Sequence, residues 1–156
     1  MTARALVIGL GNPDRGDDAV GLHIARRVAA LALPGVAVEE AGGDTLALLD
    51  RWAGAASVVL ADAAAPSATP GRIHRLDPLT GPLPRDLALG STHAFGLAET
   101  VELARTLGLL PRWMRIYAVE ALRFDHGTGL SPAVAAAVAP VAGRIAAELA
   151  EGQDHA

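Results

Sequence analysis

Gly9-Leu10-Gly11-Asn12-Pro13-Asp14-Arg15-Gly16-Asp17-Asp18-Ala19-Val20-Gly21 is the stretch on which the reading of the whole chain turns. It follows a short apolar run, Ala5-Leu6-Val7-Ile8, and leads into a helical pattern, Leu22-His23-Ile24-Ala25-Arg26-Arg27-Val28. A strand, a glycine turn and a helix in that order open an α/β sheet whose site lies at the carboxyl end of strand one. Three aspartates, Asp14, Asp17 and Asp18, crowd the place where a nucleotide-binding turn receives phosphate. Each would repel a phosphate by about 1 kcal/mol or more at close range. The loop is therefore expected to take a cation or a polar neutral group.

Outward from that turn, strands and helices alternate. Helix one is expected from about Asp18 to Leu31, and Val36–Ala41 as strand two. Gly42-Gly43 breaks that strand, and Asp44-Thr45 cap a helix through Leu46, Leu48, Leu49 and Trp52. Ser57–Ala63 is a continuous apolar strand that ends on a carboxylate, Asp62. Arg72–Leu76 alternates as an edge strand with one wet face. Gly96–Ala104 is an amphipathic helix ending near Gly108, and Met114–Glu120 is the last strand. Ser131 and Pro132 stand as N-cap and N1 of a closing helix. The pattern predicts a single three-layer α/β/α domain over residues 1–151, with a mostly parallel twisted sheet of about five strands flanked by helices. Residues 152–156 read as a frayed, flexible tail.

Composition narrows the function. At 156 residues and 51% hydrophobic, the chain is long and apolar enough for one core and excludes disorder as the state of its body. A net charge of −4, with scattered arginines and no lysine, leaves no basic face for nucleic acid. With no cysteine, disulfides, thiol nucleophiles and thiolate metal sites are excluded. Met1-Thr2-Ala3-Arg4 runs straight into strand one, so no signal peptide is expected, and the cytoplasm is the default. The apolar stretch Ser131–Ala150, interrupted by Pro140, Arg144 and Glu148, is expected not to span a bilayer.

Three polar groups converge in this plan. Asp18 follows strand one, Asp62 ends the central strand, and His93 precedes the third main helix. All three belong at the crevice outside the carboxyl ends of the strands. Two carboxylates and an imidazole can contact a divalent first-row metal and leave positions open. Each residue also has a plainer reading: Asp17 and Asp18 suit a helix N-terminus as cap and dipole partner, and loop histidines such as His23, His74, His126 and His155 are ordinarily surface or capping residues. A carboxylate ending a buried strand is harder to dismiss, because it needs partners. Competing motifs fail on inspection. Asp14 stands where a dinucleotide fingerprint needs glycine, no phosphate-loop lysine exists, and neither a Gly-x-Ser-x-Gly elbow nor a His-Glu-x-x-His pair occurs.

Gly9-x-Gly11-Asn12 with Asp17-Asp18 and Gly21, then Ala61-Asp62-Ala63, Ser91-Thr92-His93 with Gly96-Leu97, Val119-Glu120 and Gly129-Leu130-Ser131-Pro132 resemble the hydrogenase maturation endopeptidases. The resemblance runs through nearly the whole chain in order. It implies an endopeptidase of aspartyl type that removes the C-terminal extension of a [NiFe]-hydrogenase large-subunit precursor after nickel insertion. It carries metal contact and catalysis to Asp18, Asp62 and His93, and substrate seating to Asn12, Gly42, Gly43 and Asp44. The nickel it implies belongs to the substrate, although other divalent ions could occupy the site. Either the three residues complete coordination of that nickel, or Asp18 or Asp62 acts as general base on the attacking water; the two roles are compatible. A cytoplasmic monomer acting on the precursor, without nucleic acid or membrane, completes the expectation. Three departures stand out: Asp18 where some members carry Glu, Ala121 where proline is common, and Asp44 where many carry Thr. The alternatives are a metal-dependent binding or chaperone module that holds the precursor without cutting it, and a peptidyl-tRNA hydrolase-like esterase, which shares the Gly-Leu-Gly-Asn-Pro opening.

Overall fold

The strands are β1 (Ala5–Leu10), β2 (Val36–Ala41), β3 (Ser57–Ala64), β4 (Ile73–Leu76) and β5 (Trp113–Glu120). The helices are α1 (Val20–Ala30), α2 (Leu48–Trp52), α3 (Leu97–Leu107) and α4 (Pro132–Gly152). This is a computed structural model, and it describes residues 5–42, 44–53, 55–84, 87 and 96–152. The five strands form one sheet in the order β2-β1-β3-β5-β4. β1 pairs in parallel with β2 and β3, β3 with β5, and only β4 runs antiparallel, against β5.

Each face of the sheet carries its own core. Val59, Ala61 and Ala63 of β3 join Tyr117 and Val119 of β5 under α1 and α4, with Val20, Ile24, Val141 and Ile145. The alternate residues, Val58, Leu60 and Ala64 with Met114, Ile116 and Ala118, pack under α2 and α3 against Trp52, Leu97 and Val101. Strands covered on both faces read as unbroken apolar runs, which is why β1 and β3 stand out in the sequence. The three-layer α/β/α expectation and the strand boundaries agree with this architecture.

Two expectations need correction. Helix one does not begin as an α-helix at Asp18: Gly16–Ala19 is a turn of 3₁₀ helix, and the α-helix starts at Val20. The closing segment is not interrupted. α4 runs through Pro140 as a single helix of 21 residues, and Pro132–Glu151 is long and apolar enough to cross a membrane by those criteria alone. Pro140 costs one backbone hydrogen bond but lies on the exposed side. Val134, Ala137, Val141, Ala142, Ile145 and Leu149, spaced three to four apart, are buried against the sheet and α1. One apolar stripe of α4 is thus accounted for by the core it fills.

α4 is also tied to the edge of the sheet. Glu148 accepts a two-pronged bond from Arg75 of β4, at 2.8 and 2.7 Å, and a hydrogen bond from the Tyr117 hydroxyl. The Arg75 guanidinium holds the Glu148 carboxyl below its usual range. Burial, then the bond to Glu148, pushes the Tyr117 phenol up to about 12. The expected tail lies outside the described residues from position 153 onward.

Candidate functional site

The sheet order reverses between β1 and β3, because β1 sends the chain to β2 on one side while β3 lies on the other. In open α/β sheets the crevice at that reversal is the ordinary place for a site. Asp18 arrives there from the 3₁₀ turn after β1, and Asp62 stands three-quarters of the way along β3. Both are almost completely buried, at 2% and 3% exposure. By the alternation of β3, Asp62 shares its face with Leu60 and Ala64, the side covered by α2 and α3.

Glycines make this convergence possible. A Cβ on Gly11, whose φ is +146°, would sit 2.0 Å from the Asp18 carbonyl oxygen. One on Gly21 would meet the carbonyl oxygens of Ala61 and Leu10 at 2.3 and 2.4 Å. Gly11 and Gly21 therefore serve close approach of the turn and α1 to the ends of β1 and β3.

The two carboxylates feel each other. Burial pushes the Asp62 carboxyl well above the usual range, and the charge of Asp18 pushes it further, while the Ala63 N–H donated to Asp62 Oδ1 at 2.8 Å pulls it back. Asp18 Oδ2 accepts the backbone N–H of Asn12 at 3.2 Å. A buried carboxyl beside a second one either keeps its proton or takes a cation next to it. That donor set, two hard oxygens, suits a divalent ion.

The other aspartates of the opening stretch do not crowd the crevice. Asp14 is exposed, and its N–H donates to Asn12 Oδ1 at 2.9 Å in a local turn. Asp17 is fully buried and faces away: its carboxylate accepts Leu122 N–H at 2.8 Å, Arg123 N–H at 3.3 Å, Ser131 N–H at 2.7 Å and the Ser131 hydroxyl at 2.8 Å. No side-chain cap bond forms at this helix start, so the capping role expected for Asp17 or Asp18 is not the one they play. The Ser131 hydroxyl is likewise turned to Asp17 while its carbonyl begins α4 by accepting Ala135 N–H.

Of the remaining predicted site residues, Gly42 and Asp44 are exposed after β2, and Asp44 Oδ1 accepts Ala47 N–H at 3.4 Å ahead of α2. Gly43 and His93 lie outside the described residues. Among the described residues no group of three His, Asp or Glu side chains suits a metal ion.

Comparison with known proteins now decides the lineage. A sequence model of the HycI family, hydrogenase maturation protease, matches residues 22–148. The chain belongs to the hydrogenase maturation protease family. Solved structures agree. The hydrogenase maturating endopeptidase HybD from Escherichia coli is 27% identical, with 96% of this chain and 93% of that one covered and a TM-score of 0.75. An endopeptidase from E. coli solved in solution is 29% identical over 96% and 93%, with a TM-score of 0.76. The [NiFe] hydrogenase maturation protease HybD from Thermococcus kodakarensis is 28% identical over 94% and 98%, with a TM-score of 0.72. No curated protein matches the chain in sequence.

As a hydrogenase maturation protease the chain is a peptidase, and two polar pairings escaped the sequence reading. Thr100, fully buried in α3, donates to the Thr45 hydroxyl at 2.8 Å and joins the loop after β2 to α3 on the Asp62 face. Nothing but a tertiary contact marks this pair. Glu120, at the end of β5, is held by the Thr69 hydroxyl at 3.1 Å and by His74 Nε2 at 2.9 Å. Hydrogen bonds from Ser67, His74 and Thr69 keep its carboxyl below the usual range. His74, expected as an ordinary surface histidine, is thus the half-buried partner of an acid. It stands in register with Ala118 of β5, which is itself in register with Asp62.

Proposed function

We propose that this hydrogenase maturation protease removes the C-terminal extension of a [NiFe]-hydrogenase large-subunit precursor after nickel insertion, through direct attack of water on the scissile carbonyl. The observation that carries the reading is the meeting of Asp18 and Asp62, two buried carboxylates, at the reversal point of the sheet. Their mutual repulsion is relieved by positive charge, and nickel in the precursor supplies it; recognition then depends on loading. His93 is proposed as the third contact. One carboxylate of the pair takes the proton from the attacking water as the new C–O bond forms, and the leaving amine gains a proton as the C–N bond breaks. No covalent nucleophile is needed, which is the logic of an aspartyl-type peptidase. Asn12, Gly42, Gly43 and Asp44 are proposed to seat the substrate tail. On this reading the protein works as a cytoplasmic monomer.

Mass spectrometry of a large-subunit precursor, incubated with the protein with and without nickel loading, tests the proposal. Loss of the extension only from the loaded precursor, abolished by Asp62→Asn and by His93→Ala, is the expected result. A precursor that stays intact but co-purifies would replace the peptidase reading with a holding role. Cleavage that ignores nickel would remove the recognition step.

A further inference from the structure

Asp17 spends a fully buried carboxylate on four hydrogen bonds from residues more than a hundred positions away. An ordinary turn needs no such device. Its backbone N–H also donates to the Arg123 carbonyl at 3.1 Å, so the Gly16–Ala19 turn and the loop from Leu122 to Ser131 are bonded in both directions. Three more contacts follow the same seam. Gly127 N–H donates to the Asp14 carbonyl at 3.0 Å, the Arg15 guanidinium lies 5.7 Å from the centre of the Phe124 ring, and a Cβ on Gly16 would meet Thr128 Oγ1 at 2.6 Å.

The next residue along is Asp18. A 3₁₀ turn sets successive side chains about 120° apart, so fixing one side chain fixes the direction of the next. We infer that Asp17 is a positioning residue: it anchors the turn to the β5–α4 loop so that Asp18 is aimed at Asp62. The inference rests on the proposed role of the Asp18–Asp62 pair and adds the residue that sets its geometry. Asn in place of Asp17 keeps the size but replaces one acceptor oxygen with an NH₂ group, which faces N–H and O–H donors. A shift of about 1 Å in a catalytic group can cost roughly a hundredfold in rate.

The test is single-turnover processing of nickel-loaded precursor by wild type, D17N, S131A, D18N and D17N/D18N, together with precursor affinity and thermal stability for each. D17N should slow the cleavage step ten- to a hundredfold, an order set by such a misplacement, while affinity for precursor without nickel, which does not call on Asp18, stays at the wild-type value. S131A, which removes one of the four bonds, should fall between D17N and wild type. The deciding result is the double variant: D17N/D18N should cleave no more slowly than D18N alone, because nothing remains to be aimed. I145A, a cut into the α4 core, serves as the stability control and should lower the melting temperature at least as much as D17N without slowing cleavage below it. D17N cleaving at the wild-type rate, or a double variant well below D18N, would overturn the inference alone. D18N cleaving normally would overturn the carboxylate pair itself, and the positioning role with it.

Discussion

Gly21→Ala is the sharpest probe of how the site is assembled. Gly21 lies in the first turn of α1 with an ordinary backbone conformation, so alanine brings no torsional strain, only a methyl group. That methyl would stand 2.3 Å from the Ala61 carbonyl oxygen on β3 and 2.4 Å from the Leu10 carbonyl oxygen on β1, about 1 Å short of ordinary contact on both. Both obstacles are backbone of central strands, which cannot swing aside as a side chain could. The helix must move instead, loosening the fit of Val20 and Ile24 on the sheet. Overpacking of this kind costs about 1–3 kcal/mol, against a helix-propensity gain of up to about 1 kcal/mol for replacing glycine. With the full propensity gain, a net loss of up to about 2 kcal/mol remains, or a melting temperature as much as roughly 6 °C lower for a chain of this size. Because Asp18 precedes the displaced turn, processing of nickel-loaded precursor should fall by roughly tenfold or more even where the variant is fully folded. Gly143→Ala is the matched control: it is exposed in α4, and its methyl meets nothing within 4 Å. It should raise stability by about 0.5–1 kcal/mol and leave processing alone. Calorimetry and the processing assay together decide. A Gly21→Ala protein that gains stability like Gly143→Ala would refute the close-approach account of these glycines.

Asp62→Asn should destroy processing while raising stability at neutral pH, because burial disfavours the charged Asp62 carboxylate. The folded-state pKa of Asp62 is raised, so its contribution is fully present below the ordinary carboxylate range and is lost as pH rises; wild type should therefore lose its deficit relative to Asp62→Asn near pH 4 in parallel urea titrations. Glu148 has the opposite sign. Its carboxyl is depressed by Arg75, so the pair stabilises above the ordinary carboxylate value, about 4.3, and the benefit disappears as pH falls through the lowered folded value. Arg75 is 45% exposed, which limits the gain to about 1 kcal/mol; Arg75→Gln should lower the melting temperature at pH 7 and converge on wild type as pH falls through the lowered Glu148 value. Thr100→Val removes the bond from α3 to Thr45 and should cost about 1–2 kcal/mol, measured by urea unfolding. An unchanged midpoint would deny that this buried hydroxyl pair ties the loop to α3.

The strands were legible because β1 and β3 are covered on both faces and carry unbroken apolar runs, while β4 lies on the edge and alternates. Asp18 was legible from where β1 ends and Asp62 as the carboxylate closing an apolar run, although β3 continues two residues past Asp62 to Ala64 because those residues still pair with β5. Asp17 was not: its partners are Leu122, Arg123 and Ser131, and no local pattern announces a bond across 114 positions. The same distance hides Thr45 from Thr100 and His74 from Glu120. The misreading of the helix start has a local cause. Two adjacent acids before an apolar helix fit a cap, and only the three-dimensional partners of Asp17 show that its carboxylate faces the other way.

The order of the sheet also governs how the protein is made. β4 leaves the ribosome well before β5, yet β5 is its neighbour in the sheet, so the edge strand must wait for 37 further residues before it has a ladder to join. Asp17 waits longer still, until Ser131 is synthesised. A nascent chain can therefore pair β1, β2 and β3 into a central sheet while its peptidase crevice is still unformed. The anchor of Asp17 is complete once Ser131 has been made.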